Sequence, residues 1–132
     1  MLVLDASAAI GIALDELPPH EAESLLREIR EDGALVPPLW DQEVGNALLV
    51  AERRGRITQA ETTQGIELLD SLPIEVHEID PELISLVNTA RQFGLTTYDA
   101  TYLLIAMQSG FALATRDAAL SRAAEEAGVR VV

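Results

Sequence analysis

Asp5, Glu43, Asp99 and Asp117 are the residues of this chain whose types and settings suggest chemistry. Asp5 directly follows an apolar triplet, Leu2-Val3-Leu4. Asp117 follows the apolar stretch Phe111 to Ala114, after Thr115 and Arg116. Asp99 lies in the first turn of an apolar helical pattern, and Glu43 in the first or second turn of an amphipathic one. Carboxylates held about 5 Å apart repel by about 1 kcal/mol per pair in water, and several times more at lower dielectric. A fold keeps such a group chiefly where cations neutralise it. Oxygen donors without cysteine or a well-placed histidine suit Mg²⁺ or Mn²⁺ rather than Zn²⁺. Such a centre handles phosphate esters, by activating water and stabilising a leaving oxygen. Each acid also has an ordinary structural use: Asp5 and Asp117 suit helix N-caps, Asp99 suits a helix dipole, and Glu43 suits a solvated helix face. Asp41 competes with Glu43, but two helical positions are roughly 200° apart, so both cannot face one site.

The acids depend on elements that set them in place. Short apolar runs alternate with longer amphipathic ones. Strands are expected at Leu2 to Leu4, Ala34 to Val36, Ile74 to Ile79, Phe111 to Ala114 and Val129 to Val132. Helices are expected at Ser7 to Leu14, around Ala22 to Ile29, at Leu39 to Arg54, Thr58 to Leu72, Pro81 to Phe93, Thr97 to Ser109, and around Leu120 to Ala127. Thr58 and Glu61 have capping-box spacing, and Thr96 or Thr97 suits the N-cap of a helix apolar almost all round, hence buried. Strands alternating with helices predict a three-layer α/β/α fold with a central parallel sheet of about five strands. Right-handed crossovers then bring helix N-termini and strand C-termini to one edge of the sheet, where such folds bind ligands. All four acids fall on that edge by topology.

The chain has 132 residues, 48% of them apolar and 23% charged, as expected of a single globular domain over 1–132. It has no cysteine, so disulfides and thiolate chemistry are excluded. Nine basic residues oppose 22 acidic ones for a net charge of −13, and every basic residue is arginine. The absence of lysine removes Walker-type phosphate loops and Schiff-base chemistry. The acidity argues against sequence-blind adhesion to nucleic acid. Arg53, Arg54 and Arg56 form the one basic cluster, and Arg116 adjoins Asp117. His20 and His77 read as ordinary structural or solvated residues. No apolar run approaches the roughly 18 residues of a membrane span, and no basic lead-in marks a signal peptide. A soluble, cytoplasmic protein is expected.

Four segments carry a resemblance. Val3-Leu-Asp5-Ala-Ser7-Ala, Glu43-Val-Gly-Asn46-Ala-Leu, Gly94-Leu-Thr96-Thr97-Tyr98-Asp99-Ala100-Thr-Tyr102-Leu and Leu113-Ala-Thr115-Arg116-Asp117-Ala-Ala-Leu120 occur in order along essentially the whole chain. Together they resemble the PIN-domain ribonucleases, most closely the VapC-type toxins of toxin–antitoxin pairs. The resemblance selects Glu43 over Asp41. It implies that Asp5, Glu43, Asp99 and Asp117 bind Mg²⁺ or Mn²⁺, with Glu43 acting directly or through water, and that Ser7, Asn46 and Thr115 orient ligands. Arg116 is a substrate-binding candidate. The implied activity is metal-dependent RNA endonuclease cleavage, of tRNA or ribosomal RNA, blocked by a cognate antitoxin. A homodimer is expected by the same analogy, with the helices around Ala47 to Ala51 and Ile66 to Leu69 as candidate contact surfaces.

Other classes fit less well. A receiver-type domain and a haloacid-dehalogenase-type phosphatase both need a lysine, and the latter wants an aspartate where Ser7 stands. A flap-type nuclease needs more chain for helical insertions. A catalytically silent PIN-like protein-binding module, or a housekeeping PIN nuclease without an antitoxin, remains as the alternative.

Overall fold

A computed structural model describes residues 1–78 and 81–132. Strand β1 (Leu2–Leu4) exposes none of its three side chains. An apolar residue at every position is what a strand covered on both faces requires. It pairs in parallel with β2 (Ala34–Val36) on one side and β4 (Ala112–Ala114) on the other. β3 (Ile74–Val76) joins β2, also in parallel, so the order is β3-β2-β1-β4 among the described residues.

Seven helices connect and flank these strands among the described residues: α1 (Ala6–Ala13), α2 (Pro19–Asp32), α3 (Trp40–Arg53), α4 (Gln59–Asp70), α5 (Leu83–Phe93), α6 (Thr97–Ser109) and α7 (Ala118–Glu126). α1, α3 and α4 pack on one another, while α6 packs on α5, α7, β1 and β4. That division follows from right-handed crossovers running outward from β1 to β3 and then back across to β4. Local signals set the helix ends. Pro19 opens α2 at its first position, where its missing N–H costs nothing. The Thr58–Glu61 capping box has both of its bonds. Gly94 and Gly110 close α5 and α6 in the left-handed conformation.

Among the described residues the sheet has four strands rather than about five. Val129 to Val132 contributes a single parallel bridge, Leu113 to Val131, with Leu113 N–H donating to Arg130 O at 2.8 Å. The pairing is confined to the two bonds that flank this bridge, the second from Val132 N–H to Leu113 O at 3.0 Å, which is too little ladder to make a strand. β3 is also shorter than expected, although His77 N–H still donates to Val36 O at 2.7 Å. The remainder of that expected strand, Ile79, lies outside the described residues. Helix α6 is buried from Ala100 to Ala106, but Tyr98 and Met107 near its ends are exposed. The helix packs on β1 and β4.

Candidate active site

β1 has β2 on one side and β4 on the other, so the chain reverses its direction across the sheet at the β1–β4 boundary. Loops leaving two such strands diverge and open a crevice at their C-terminal ends. Asp5 leaves β1 there, and Thr115 to Asp117 leave β4.

Asp5 is 3% exposed. It caps α1, with Oδ1 accepting from Ala8 N–H at 2.8 Å and from Ser7 Oγ at 2.8 Å. Thr115 Oγ1 donates to Oδ2 at 2.6 Å. Each hydroxyl has one proton to give, and each gives it to Asp5 while accepting a backbone N–H from the loop after β4. Arg116 N–H donates to Ser7 Oγ at 2.8 Å, and Asp117 N–H donates to Thr115 Oγ1 at 3.0 Å. The two loops are thereby tied through one carboxylate. Asp117 caps α7, accepting from Leu120 N–H at 2.8 Å. The capping use and the site use of Asp5 and Asp117 thus coincide, because helices that start at the crevice aim their N-termini at it.

Asp99 occupies the first turn of α6, whose N-cap is Thr96, accepting from Asp99 N–H at 3.1 Å. Burial, then the charges of Asp117, Asp5 and Glu43, push its carboxyl up to about 6. Burial also raises Asp5, against the lowering effect of the bonds from Thr115, Ala8 and Ser7; the Asp117 charge adds to the rise. Asp99 is therefore within electrostatic reach of the other three acids, and Asp5 of Asp117. Glu43 is held by Tyr102, whose hydroxyl donates to Oε1 at 2.6 Å. Burial, that bond and the surrounding carboxylates all push the Tyr102 phenol upward, so it stays a donor at every working pH. Asn46, one turn beyond Glu43 on α3, is exposed and takes no part in the bonds around Asp5 among the described residues.

The set of donors, four carboxylates with hydroxyls behind them, fits a hard divalent cation. Among the described residues no group of three or more His, Asp and Glu is already arranged to hold a metal ion. Uncompensated carboxylates repel, and several of these oxygens are spent on protein donors. His20 is exposed and His77 half-buried, its Nδ1 buried without a partner among the described residues.

Two residues of the site were not singled out from the sequence. Tyr102 stands one turn after Asp99, a spacing that places both on one helical face and is a usable signal. Glu16 has no such signal. Its Oε1 accepts from Arg56 Nη2 at 2.6 Å and its Oε2 from Arg116 Nη1 at 3.1 Å. Arg53 and Arg54 are exposed.

An α/β protein with carboxylates gathered at the switch point of a parallel sheet is the class this geometry defines. Residues 2–126 match the PIN domain family, and the chain belongs to it. It is similar to Ribonuclease VapC3 of Pyrobaculum aerophilum, at 31% identity over 91% of this chain and 92% of that protein. Exonuclease VapC9 of the same organism is 39% identical over 57% of this chain and 55% of that one. Among solved structures, PAE2754 of Pyrobaculum aerophilum superposes with a TM-score of 0.76, at 30% identity, covering 99% of this chain and 90% of that one. FitAcB of Neisseria gonorrhoeae shares the fold, with a TM-score of 0.64 at 18% identity, covering 99% and 96% of the two chains. No helix among the described residues is long and apolar enough to cross a membrane.

Proposed function

We propose that this chain is a metal-dependent endoribonuclease of the VapC type, the toxin of a type II toxin–antitoxin pair. The observation that carries the reading is the tie between Asp5 and the Asp117 backbone through Thr115 at the crevice between β1 and β4, with Asp99 close enough to feel the charges of Asp5, Asp117 and Glu43. The ribonuclease name of a relative matched along almost its whole length supports it. Asp5, Asp99 and Asp117 would hold Mg²⁺ or Mn²⁺ directly, with Glu43 directly or through water. Such an ion supplies Lewis acidity toward phosphate oxygens and lowers the pKa of water at the site. The protein's own part is positional. Ser7 and Thr115 lock the Asp5 rotamer, and Tyr102 aims Glu43. Arg116 and Arg56, bridged by Glu16, offer guanidinium groups to flanking phosphates beside an otherwise repelling surface. The substrate is a tRNA or ribosomal RNA, the regulator a cognate antitoxin, the working state a homodimer, and the compartment the cytoplasm.

Purified protein is expected to cleave tRNA or rRNA in millimolar Mn²⁺ or Mg²⁺. Asp5→Asn and Asp99→Asn are expected to abolish cleavage with the circular dichroism spectrum unchanged. Retained cleavage by clean Asp99→Asn protein overturns the site. Mn²⁺ at a hundred times its Kd should add about 2.7 kcal/mol to the wild type, and much less to Asp5→Asn.

The incompletely gathered acids favour a second reading, a PIN-like module that binds protein and does not cut. A wild type whose Tm ignores Mn²⁺ is the outcome that reading expects.

A further inference from the structure

Beside the carboxylates, between α1, α2 and the loop after β4, lies a cleft of about 350 Å³. It shares Thr115 and Arg116 with the site already described, so whatever fills it adjoins Asp5 and Asp117. Its volume is within the roughly 300–1,000 Å³ of small-molecule sites. The floor is apolar: Ala8 is buried, and Leu17 and Leu25 are half-buried. The rim is polar, with His20, Glu21, Ser24 and Glu28 on α2, of which Glu28 is engaged by Arg130.

Two exposed arginines, Arg116 and Arg130, line the cleft, and both are held. The Arg116 stem lies over Gly11 so closely that a Cβ there would come within 2.9 Å of its Cδ. Its guanidinium is anchored by Glu16 at 3.1 Å. Arg130 is anchored by Glu28 at 3.1 Å. A guanidinium has five N–H donors, and these anchors leave several free. An apolar floor with a planar cation fixed at its mouth is how proteins take a base splayed out of an RNA strand, by stacking and edge contacts.

We infer that this cleft is a nucleotide subsite, receiving one unpaired guanine of the strand whose neighbouring phosphate lies at the carboxylates. The place of the subsite in a reaction rests on the ribonuclease reading above. The choice of base follows from the rim. Glu21 belongs to none of the ion pairs among the described residues and lines the cleft with a free carboxylate. A carboxylate only accepts. Guanine presents two adjacent donors, N1–H and the N2 amine, to a single carboxylate. Adenine and cytosine place an acceptor nitrogen beside their amine, and uracil flanks its one N–H with carbonyls. The Arg116 guanidinium, beside the acidic centre, is placed to take the phosphate.

The test uses the whole wild-type chain and four mononucleotides, GMP, AMP, CMP and UMP, followed by amide chemical shifts in a metal-free buffer. GMP is expected to shift amides of α2 and of residues 115–117, with roughly tenfold tighter binding than the others. Glu21→Gln, on the exposed rim, should remove that preference and leave the spectrum of the free protein unchanged elsewhere. Leu25→Trp should fill the cleft and abolish the shifts. Absent shifts at the cleft, equal shifts from all four nucleotides, or the same shifts from inorganic phosphate alone overturn the subsite. A parallel RNA cleavage assay separates the two readings. GMP binding without cleavage keeps the subsite and sinks the nuclease; cleavage without cleft binding does the reverse.

Discussion

Asp99 holds a proton to a higher pH in the folded chain than in the unfolded one, up to about 6 against an ordinary 3.8, through burial and then the charges of Asp117, Asp5 and Glu43. Between those values the folded state binds more protons, so stability falls as pH rises through that window. In the absence of metal, Asp99→Asn is therefore expected to raise Tm at pH 7.5 and to lose that advantage by pH 4. Half of the group faces solvent, so screening keeps the gain to about 1 kcal/mol, or roughly 4 °C. Thermal scans in EDTA at the two pH values measure it, and an equal gain at both would show that charge is not the cause. Tyr102→Phe tests the opposite kind of contact. It strips Glu43 of a buried donor, at a cost of about 1 kcal/mol, readable by urea unfolding. Asp5, Asp99 and Asp117 were legible from the sequence because each sits at a recognisable boundary. Glu16 was not, because a glutamate in a connecting loop has no periodicity, and its two arginines come from residues 40 and 100 positions away.

At the scale of elements, the packing of α1 on α4 is set by Gly65. A Cβ there would stand 3.1 Å from Ala13 O and 3.2 Å from Ala13 Cβ, so α1 would have to shift by a few tenths of an ångström. Gly65→Ala is expected to destabilise by about 1 kcal/mol, because overpacking exceeds the gain in helix propensity. Gly45, in the middle of α3, has nothing within 4 Å of the same added atom. Gly45→Ala should stabilise by roughly 0.5–1 kcal/mol. Denaturant titrations of the two variants should therefore move in opposite directions. Helix positions were largely readable, since the apolar spacing of α2 and the capping box of α4 act within a few residues. The fifth strand was not, because Val129 to Val132 has a strand's composition, and only its tertiary pairing, a single bridge from Val131 to Leu113, shows that it falls short of one.

For the whole molecule, a net charge of −13 over 132 residues means self-repulsion. Raising NaCl from 10 to 150 mM shortens the screening length from about 30 to about 8 Å. The metal-free protein is expected to gain a few degrees in Tm over that range. A fall would mean that the three ion pairs among the described residues outweigh the general repulsion.

The order of apolar runs and helical faces was determined by local sequence, because periodicity, capping and turn chemistry act over a few residues, and the strand ends and helix starts carrying Asp5, Asp99 and Asp117 follow from the same signals; the choice of Glu43 and of the hydroxyls Ser7 and Thr115 came from the resemblance of four ordered motifs. Only tertiary structure decided that two hydroxyls from opposite ends of the chain share Asp5, that Tyr102 holds Glu43, and that a cleft opens between α2 and Arg116. The bonds from Thr115 to Asp5 and from Tyr102 to Glu43 join residues 110 and 59 positions apart, and their distances come from how the helices are laid on the sheet.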